Sequence, residues 1–164
     1  MNTIRKSTLQ DLEIITDIYN QAIKSKFETA DTIEFNFMDR KEWYKNHPPD
    51  TYPIYVYEIN GKVVGWISIS PYRKGREALR LTVEISYYLD QNYRRQGIGS
   101  KLIEYAIQAC RQLNYKTLIA IVLDKNEASI KLLSKNGFSR WGHLPNIADF
   151  DGEECGHFYF GLRI

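Results

Sequence analysis

Residues 92–102, Asn92-Tyr93-Arg94-Arg95-Gln96-Gly97-Ile98-Gly99-Ser100-Lys101-Leu102, restrict the possible folds more than any other stretch of this chain. A strand-like run, Leu81 to Leu89, precedes them, and a helix-like run, Ile98 to Leu113, follows. Strand, glycine-rich basic turn and helix is an arrangement that turns main-chain N–H groups toward an anion. The first N–H groups of a helix have no intrahelical partner, and the helix dipole adds partial positive charge there. Gly97 and Gly99 lack a Cβ, so a phosphate can approach the backbone, and Arg94 and Arg95 add fixed charge beside it. A Walker A loop is excluded, because the glycines are too close and Ser100 precedes Lys101. A dinucleotide fingerprint is excluded as well, because neither Lys101 nor Leu102 supplies the third glycine.

The rest of the chain reads as alternating elements. Thr3-Ile4-Arg5 opens a short strand, and Thr8 or Asp11 can cap a helix with apolar positions Leu12, Ile15, Ile18, Tyr19 and Ala22. Asp39 to Lys45 reads as a second, short helix, and Pro48-Pro49-Asp50 breaks the chain. Tyr52–Ile59 and Lys62–Ser70 form a hairpin about Asn60-Gly61. A charged loop, Pro71 to Arg80, leads into the strand that contains Glu84. The helix from Ile98 carries the stripe Ile98, Leu102, Tyr105, Ala106, Ala109 and Leu113. Thr117–Leu123 is continuously apolar, as a strand buried on both faces must be. Asn126 caps a helix, Glu127–Lys135, that Asn136-Gly137 ends, and Phe138–Phe150 with Glu154–Ile164 forms a hairpin about Asp151-Gly152. With 164 residues and no linker or repeat, one domain spanning 1–164 is expected.

Arg94-x-x-Gly97-x-Gly99 matches the R/Q-x-x-G-x-G/A signature of the GNAT N-acetyltransferases, and the whole chain resembles the phosphinothricin acetyltransferase branch of that superfamily. The resemblance implies an α/β fold: a mixed, mostly antiparallel seven-stranded sheet, splayed between strands 4 and 5 and flanked by about four helices. It implies acetyl-CoA as cosubstrate, with its pyrophosphate held by Arg94, Arg95, Gln96, Gly97, Ile98, Gly99, Ser100 and Lys101. The pantetheine arm would lie in the V between the strands, bonded to the main chain of Tyr87, Tyr88 and Leu89. A backbone N–H there would polarise the thioester carbonyl. Asn126 and Ser129 resemble the N-x-x-S that contacts the cofactor in relatives, although an asparagine there is also an ordinary helix cap.

Alternation along the Glu84 strand puts Thr82, Glu84, Ser86 and Tyr88 on one face. Acyl transfer to an amine needs the amine neutral, so a base must take its proton. A carboxylate desolvated by aromatic neighbours suits that task, and Glu84 aligns with the glutamate given it in the phosphinothricin branch. A solvent-facing glutamate would give the same alternation. Many GNAT enzymes place a tyrosine, and this branch often a histidine, four positions before the helix-ending glycine, to protonate the departing thiolate. Here that position is Leu133, leaving water, Tyr87 or Tyr93 as sources. A thiol of pKa about 8.5 leaves tolerably as an anion, so Leu133→Tyr is expected to matter little.

Arg73 and Arg76, with Arg80 behind them, resemble the substrate-side loop of the branch; guanidinium forks suit carboxylates and phosphinates, though a surface loop also holds solvated charge. Phe27, Glu28 and Thr29 stand where the first helical segment meets substrate in the superfamily, and His143 and His157 read as structural or interfacial. The expected activity is acetylation of a small-molecule amine, an L-amino acid or analogue such as phosphinothricin, methionine sulfoximine or methionine sulfone. The alternatives are a peptide or protein N-terminal acetyltransferase and a non-catalytic acetyl-CoA-binding module. Transfer would be direct, since no cysteine sits beside a base. A net charge of +2 gives no reason to expect nucleic acid as a partner, and no apolar run suggests a membrane span or signal peptide. No metal is expected from Cys110, Cys155 and three histidines. A cytoplasmic homodimer is the remaining expectation, since relatives commonly dimerise.

Overall fold

A computed structural model describes all of residues 1–164. Its strands are β1 (Asn2–Lys6), β2 (Ile54–Ile59), β3 (Lys62–Pro71), β4 (Thr82–Leu89), β5 (Thr117–Leu123), β6 (Ser139–Phe150) and β7 (Glu153–Arg163). Its helices are α1 (Leu12–Lys24), α2 (Phe37–Lys45), α3 (Ile98–Gln112) and α4 (Glu127–Lys135). The strands form one sheet in the order β1-β2-β3-β4-β5-β7-β6. Every neighbouring pair is antiparallel except β4 and β5.

Both hairpins close on the dipeptides that the sequence marks. Asn60 and Gly61 have φ of +49° and +82°, and Asp151 and Gly152 +55° and +90°, the pair of left-handed residues whose twist matches the flanking strands. Helix α2 starts two residues before the expected Asp39. Asn36 is its cap: the Asn36 side chain accepts from the Asp39 N–H at 3.0 Å, and the Asp39 carboxylate accepts from the Asn36 N–H at 2.9 Å. Asp39 therefore serves as the third residue of the helix, and the reciprocal pair satisfies two otherwise orphaned donors.

The sheet is covered on both faces. Helix α1 buries Leu12, Ile15, Ile18, Tyr19 and Ala22, the stripe expected from the sequence. Ile15, Ile18 and Tyr19 join Trp66 and Val56 in a small core, where the Trp66 indole donates to the Ile15 carbonyl at 3.1 Å. The larger core lies on the opposite face, where Leu102, Ile103, Ala106 and Cys110 of α3 and Leu133 of α4 meet Ile67, Ile69, Val83, Ile85, Leu118 and Ala120. Tyr105 departs from the expected α3 stripe. It is 39% exposed and rests its ring against Tyr55 at 4.9 Å, at the edge of the apolar face, while Ile103, Ile107 and Cys110 take interior positions. A phenol at a stripe edge buries its ring and leaves the hydroxyl to water.

Candidate active site

Strands β4 and β5 pair over three rungs only: Thr82 with Thr117, Val83 with Leu118 and Glu84 with Ile119. Beyond Glu84 each strand keeps its other neighbour, β3 for residues 85–89 and β7 for residues 120–123. Their facing edges therefore part, and main-chain donors and acceptors are exposed along a slot. Ile85, Ser86, Tyr87 and Tyr88 line one wall; Ala120, Ile121 and Val122 line the other. Asn126, Ser129 and Leu133 of α4 close the far side of this slot of about 40 Å³. It continues into a cleft of about 360 Å³ bounded by Tyr87 to Leu89, Arg94, Arg95, Gly97 to Ser100 and the first turns of α4. Glu28, Tyr87, Tyr88, Asn126 and Ser129 belong to both, so the two form one groove.

The turn into α3 is shaped by two left-handed residues, Arg95 at φ +61° and Gly97 at φ +77°. A Cβ on Gly97 would meet no atom within 4 Å, so its requirement is conformational. Gly99 answers a different need: a Cβ there would lie 2.7 Å from a Leu132 methyl group. Its bareness lets α3 and α4 close on each other beside the groove, which the expectation of phosphate access alone did not include. The first turn of α3 carries no acidic side chain, whereas those of α1, α2 and α4 each hold one. Its positive end therefore faces no carboxylate of its own first turn.

Arg94 does not stand free beside this turn. Its two terminal nitrogens donate to the two carboxylate oxygens of Glu28 at 2.7 and 2.9 Å, a fork that spans the groove from the segment after α1. Lys101 departs from the expected set of side chains: its ammonium turns to β2 and lies 3.3 Å from the Tyr57 hydroxyl, because the second turn of α3 rotates it off the groove face. Gln96 is exposed and donates to the Asn92 carbonyl at 3.4 Å. Arg95, Ile98 and Ser100 line the cleft. Asn126 accepts from the Ser129 N–H at 3.2 Å, so it is a helix cap and a groove residue at once.

Glu84 occupies the last paired rung, one residue before the slot begins. Its antiparallel partner is Ser70, whose hydroxyl lies 3.0 Å from the His47 ring. Burial alone pushes the Glu84 carboxyl above its ordinary range, as the charged form loses water and gains no partner. The strand's alternation sends Tyr88 to the α1 face, against Tyr19 at 4.8 Å and Trp66 at 4.9 Å. Tyr87 goes to the α3 and α4 face, with Leu102 and Leu133. Leu133 is fully buried, so Leu133→Tyr carries a stability cost apart from any effect on the leaving group: a phenol there must displace core atoms, at a cost of roughly 1–3 kcal/mol.

The residues expected on the substrate side are more dispersed. Arg73 and Arg76 are exposed and line neither part of the groove, and Arg80 pairs with Glu77 at 3.4 Å. Phe27 packs on Phe150 at 5.0 Å rather than facing the slot. Thr29 is buried and bonds to the Tyr19 hydroxyl at 2.7 Å, beside Asp31, which accepts from the same phenol. Lys26 and Phe27 hold left-handed φ values of +53° and +63°, and Glu153 clamps Lys26 and Lys125 at 2.6 and 2.9 Å. These contacts carry Glu28 to the groove.

The model of the acetyltransferase (GNAT) family matches residues 13–138. The chain belongs to the GNAT acetyltransferase family. YwnH of Bacillus subtilis (strain 168), provisionally named a phosphinothricin acetyltransferase, is 40% identical over 92% of each chain. The L-methionine sulfoximine/L-methionine sulfone acetyltransferase of Salmonella typhimurium is 30% identical, with 88% of this chain and 84% of that protein covered. The crystal structure of a GNAT superfamily phosphinothricin acetyltransferase from Sinorhizobium meliloti in complex with AcCoA superposes with a TM-score of 0.93. That pair is 25% identical and covers 99% of this chain and 88% of the other. The splayed sheet of this GNAT enzyme is thus the fold of its relatives. No local pattern marks the Glu28–Arg94 fork, because 66 residues separate the partners and only the tertiary fold joins them. Ala128 and Leu132 also line the cleft unforeseen; their helical spacing marks α4 as amphipathic but not which edge faces a ligand.

Proposed function

We propose that this GNAT acetyltransferase moves the acetyl group of acetyl-CoA to the α-amino group of an L-amino acid or a close analogue. Phosphinothricin, methionine sulfoximine and methionine sulfone are the acceptors to try first, from the names of its relatives. The observation that carries the reading is Glu84: a half-buried carboxylate with a raised pKa at the rung where β4 and β5 part. On that reading the diphosphate rests on the α3 turn, among the N–H groups of Gly97 to Ser100 and beside Arg95. The free edges of β4 and β5 take the extended pantetheine, and a β4 N–H polarises the thioester carbonyl. Glu84 accepts the proton of the attacking amine, directly or through water, and the nitrogen attacks the carbonyl carbon within a ternary complex. Arg73 and Arg76 would meet the acceptor's acidic groups from the loop before β4. Exposed Trp141, Leu144 and Ile147 on the edge strand β6 support a homodimer, placed in the cytoplasm with its acetyl-CoA supply.

The test is thiol release from acetyl-CoA in the presence of single amino acids, the three analogues and short peptides. Release with an amino acid or analogue is expected. Release with peptides alone would replace the acceptor class.

A further inference from the structure

We propose that the Tyr87 hydroxyl is the hydrogen-bond donor to the departing thiolate, in place of a donor from α4. The inference rests on the acetyl-CoA reading above. Three observations lead to it. Leu133, at the α4 position facing the slot, offers no proton or polar atom. Tyr87 lines the slot beside Leu133 and Ser129, on the same face of the sheet, and also lines the cleft that continues toward the α3 turn. Its hydroxyl oxygen is buried and meets no partner within hydrogen-bond distance and angle in the chain, the Ser129 hydroxyl lying close by but outside that geometry. A buried hydroxyl without a partner carries a desolvation cost that a folded protein seldom leaves unanswered, and a bound anion answers it.

The other hydroxyls fit less well. Tyr93 lines neither part of the groove and lies under the Lys62 ammonium, 5.2 Å from its ring centre. Tyr88 points to the opposite face, against Tyr19 and Trp66. The Ser129 hydroxyl acts on Tyr87 as a neighbouring hydrogen-bonding group that lowers its pKa against the effect of burial, but an alcohol is the weaker donor to a thiolate.

The chemistry decides between donating a proton and donating a hydrogen bond. Burial holds the Tyr87 phenol well above its ordinary range, whereas a thiol titrates at about 8.5. Full transfer from phenol to sulfur is therefore uphill, and a buried phenolate would be left behind. The balanced step keeps the proton on oxygen. Once the nitrogen has bonded to the carbonyl carbon and Glu84 has taken its proton, the C–S bond breaks and its electron pair stays on sulfur. The thiolate leaves holding the Tyr87 O–H as a charge-assisted hydrogen bond, and takes its own proton from water later. Glu84 returns its proton to water.

Tyr87→Phe removes only the unpartnered hydroxyl, so the melting temperature should hold or rise. Calorimetric titration at pH 9.5 with CoA and with desulfo-CoA, in which hydrogen replaces the thiol, isolates the contact. The wild-type protein should bind CoA about tenfold or more tightly than desulfo-CoA, and Tyr87→Phe should lose most of that preference. Its kcat should fall about tenfold to a hundredfold with the acetyl-CoA KM nearly unchanged. An equal preference for CoA in wild type and Tyr87→Phe, or a wild-type kcat in the variant, overturns the inference and leaves the acetyl-CoA reading standing. Failure of the wild-type protein to bind either compound overturns both.

Discussion

The two ends of the groove are made of different material. The end proposed for the cofactor is main chain: a left-handed turn, the start of a helix and the free edges of two strands, all fixed by the sheet and by α3 packing on α4. The end proposed for the acceptor is side chain: Glu28 on a segment with two consecutive left-handed residues, with half-buried Glu84 just before the slot and a loop of exposed arginines outside it. Backbone sites tolerate little change in shape. Side-chain sites can be re-aimed by single substitutions, so a shared cofactor and varied acceptors are what such a division allows.

The contrast can be broken first at Gly99. Gly99→Val sets a side chain against Leu132, which should separate α3 from α4, destabilise the fold by roughly 1–3 kcal/mol and weaken CoA binding at least about tenfold. Thermal melting and calorimetry read both effects; unchanged CoA affinity would remove this turn from the cofactor end. The next effect is smaller and of opposite sign. Glu28 holds the fork of Arg94 inside the groove, so Glu28→Gln should free that guanidinium for phosphate and tighten CoA binding about threefold to tenfold. Weaker CoA binding in this variant would mean that the fork builds the site rather than competing with it. Smallest of all, Arg73→Ala and Arg76→Ala should raise the KM of the amino acid by less than about threefold and leave CoA affinity alone, since an exposed guanidinium contributes little. A tenfold rise in KM would extend the acceptor end into that loop.

The same division governs what the sequence discloses. The succession of elements along the chain, the hairpins at Asn60-Gly61 and Asp151-Gly152 and the turn at Gly97 are local, and turn chemistry or periodicity marks them, whereas the sheet order came from the resemblance. Strand alternation shows which face of β4 carries Glu84, while the role of base comes from the resemblance and is proposed, not read from spacing. The Glu28–Arg94 fork, the rotation of Lys101 toward Tyr57 and the packing need at Gly99 depend on elements far apart in the chain. Leu133 illustrates the limit: its identity told that a donor was missing, but only burial told that the place was filled.

The most direct test of the account is the pH–rate profile of Glu84→Gln beside the wild-type enzyme, with the best amino-acid acceptor. Glu84 must be ionised to accept the amine's proton, so wild-type activity should be present above its pKa and lost as pH falls through it. Because burial raises that pKa, the loss should begin above the ordinary carboxylate range. Glu84→Gln should lower kcat/KM about a hundredfold to ten-thousandfold near neutral pH, and the defect should narrow at high pH, where free amine forms unaided. A Glu84→Gln enzyme with the wild-type profile throughout would contradict the account.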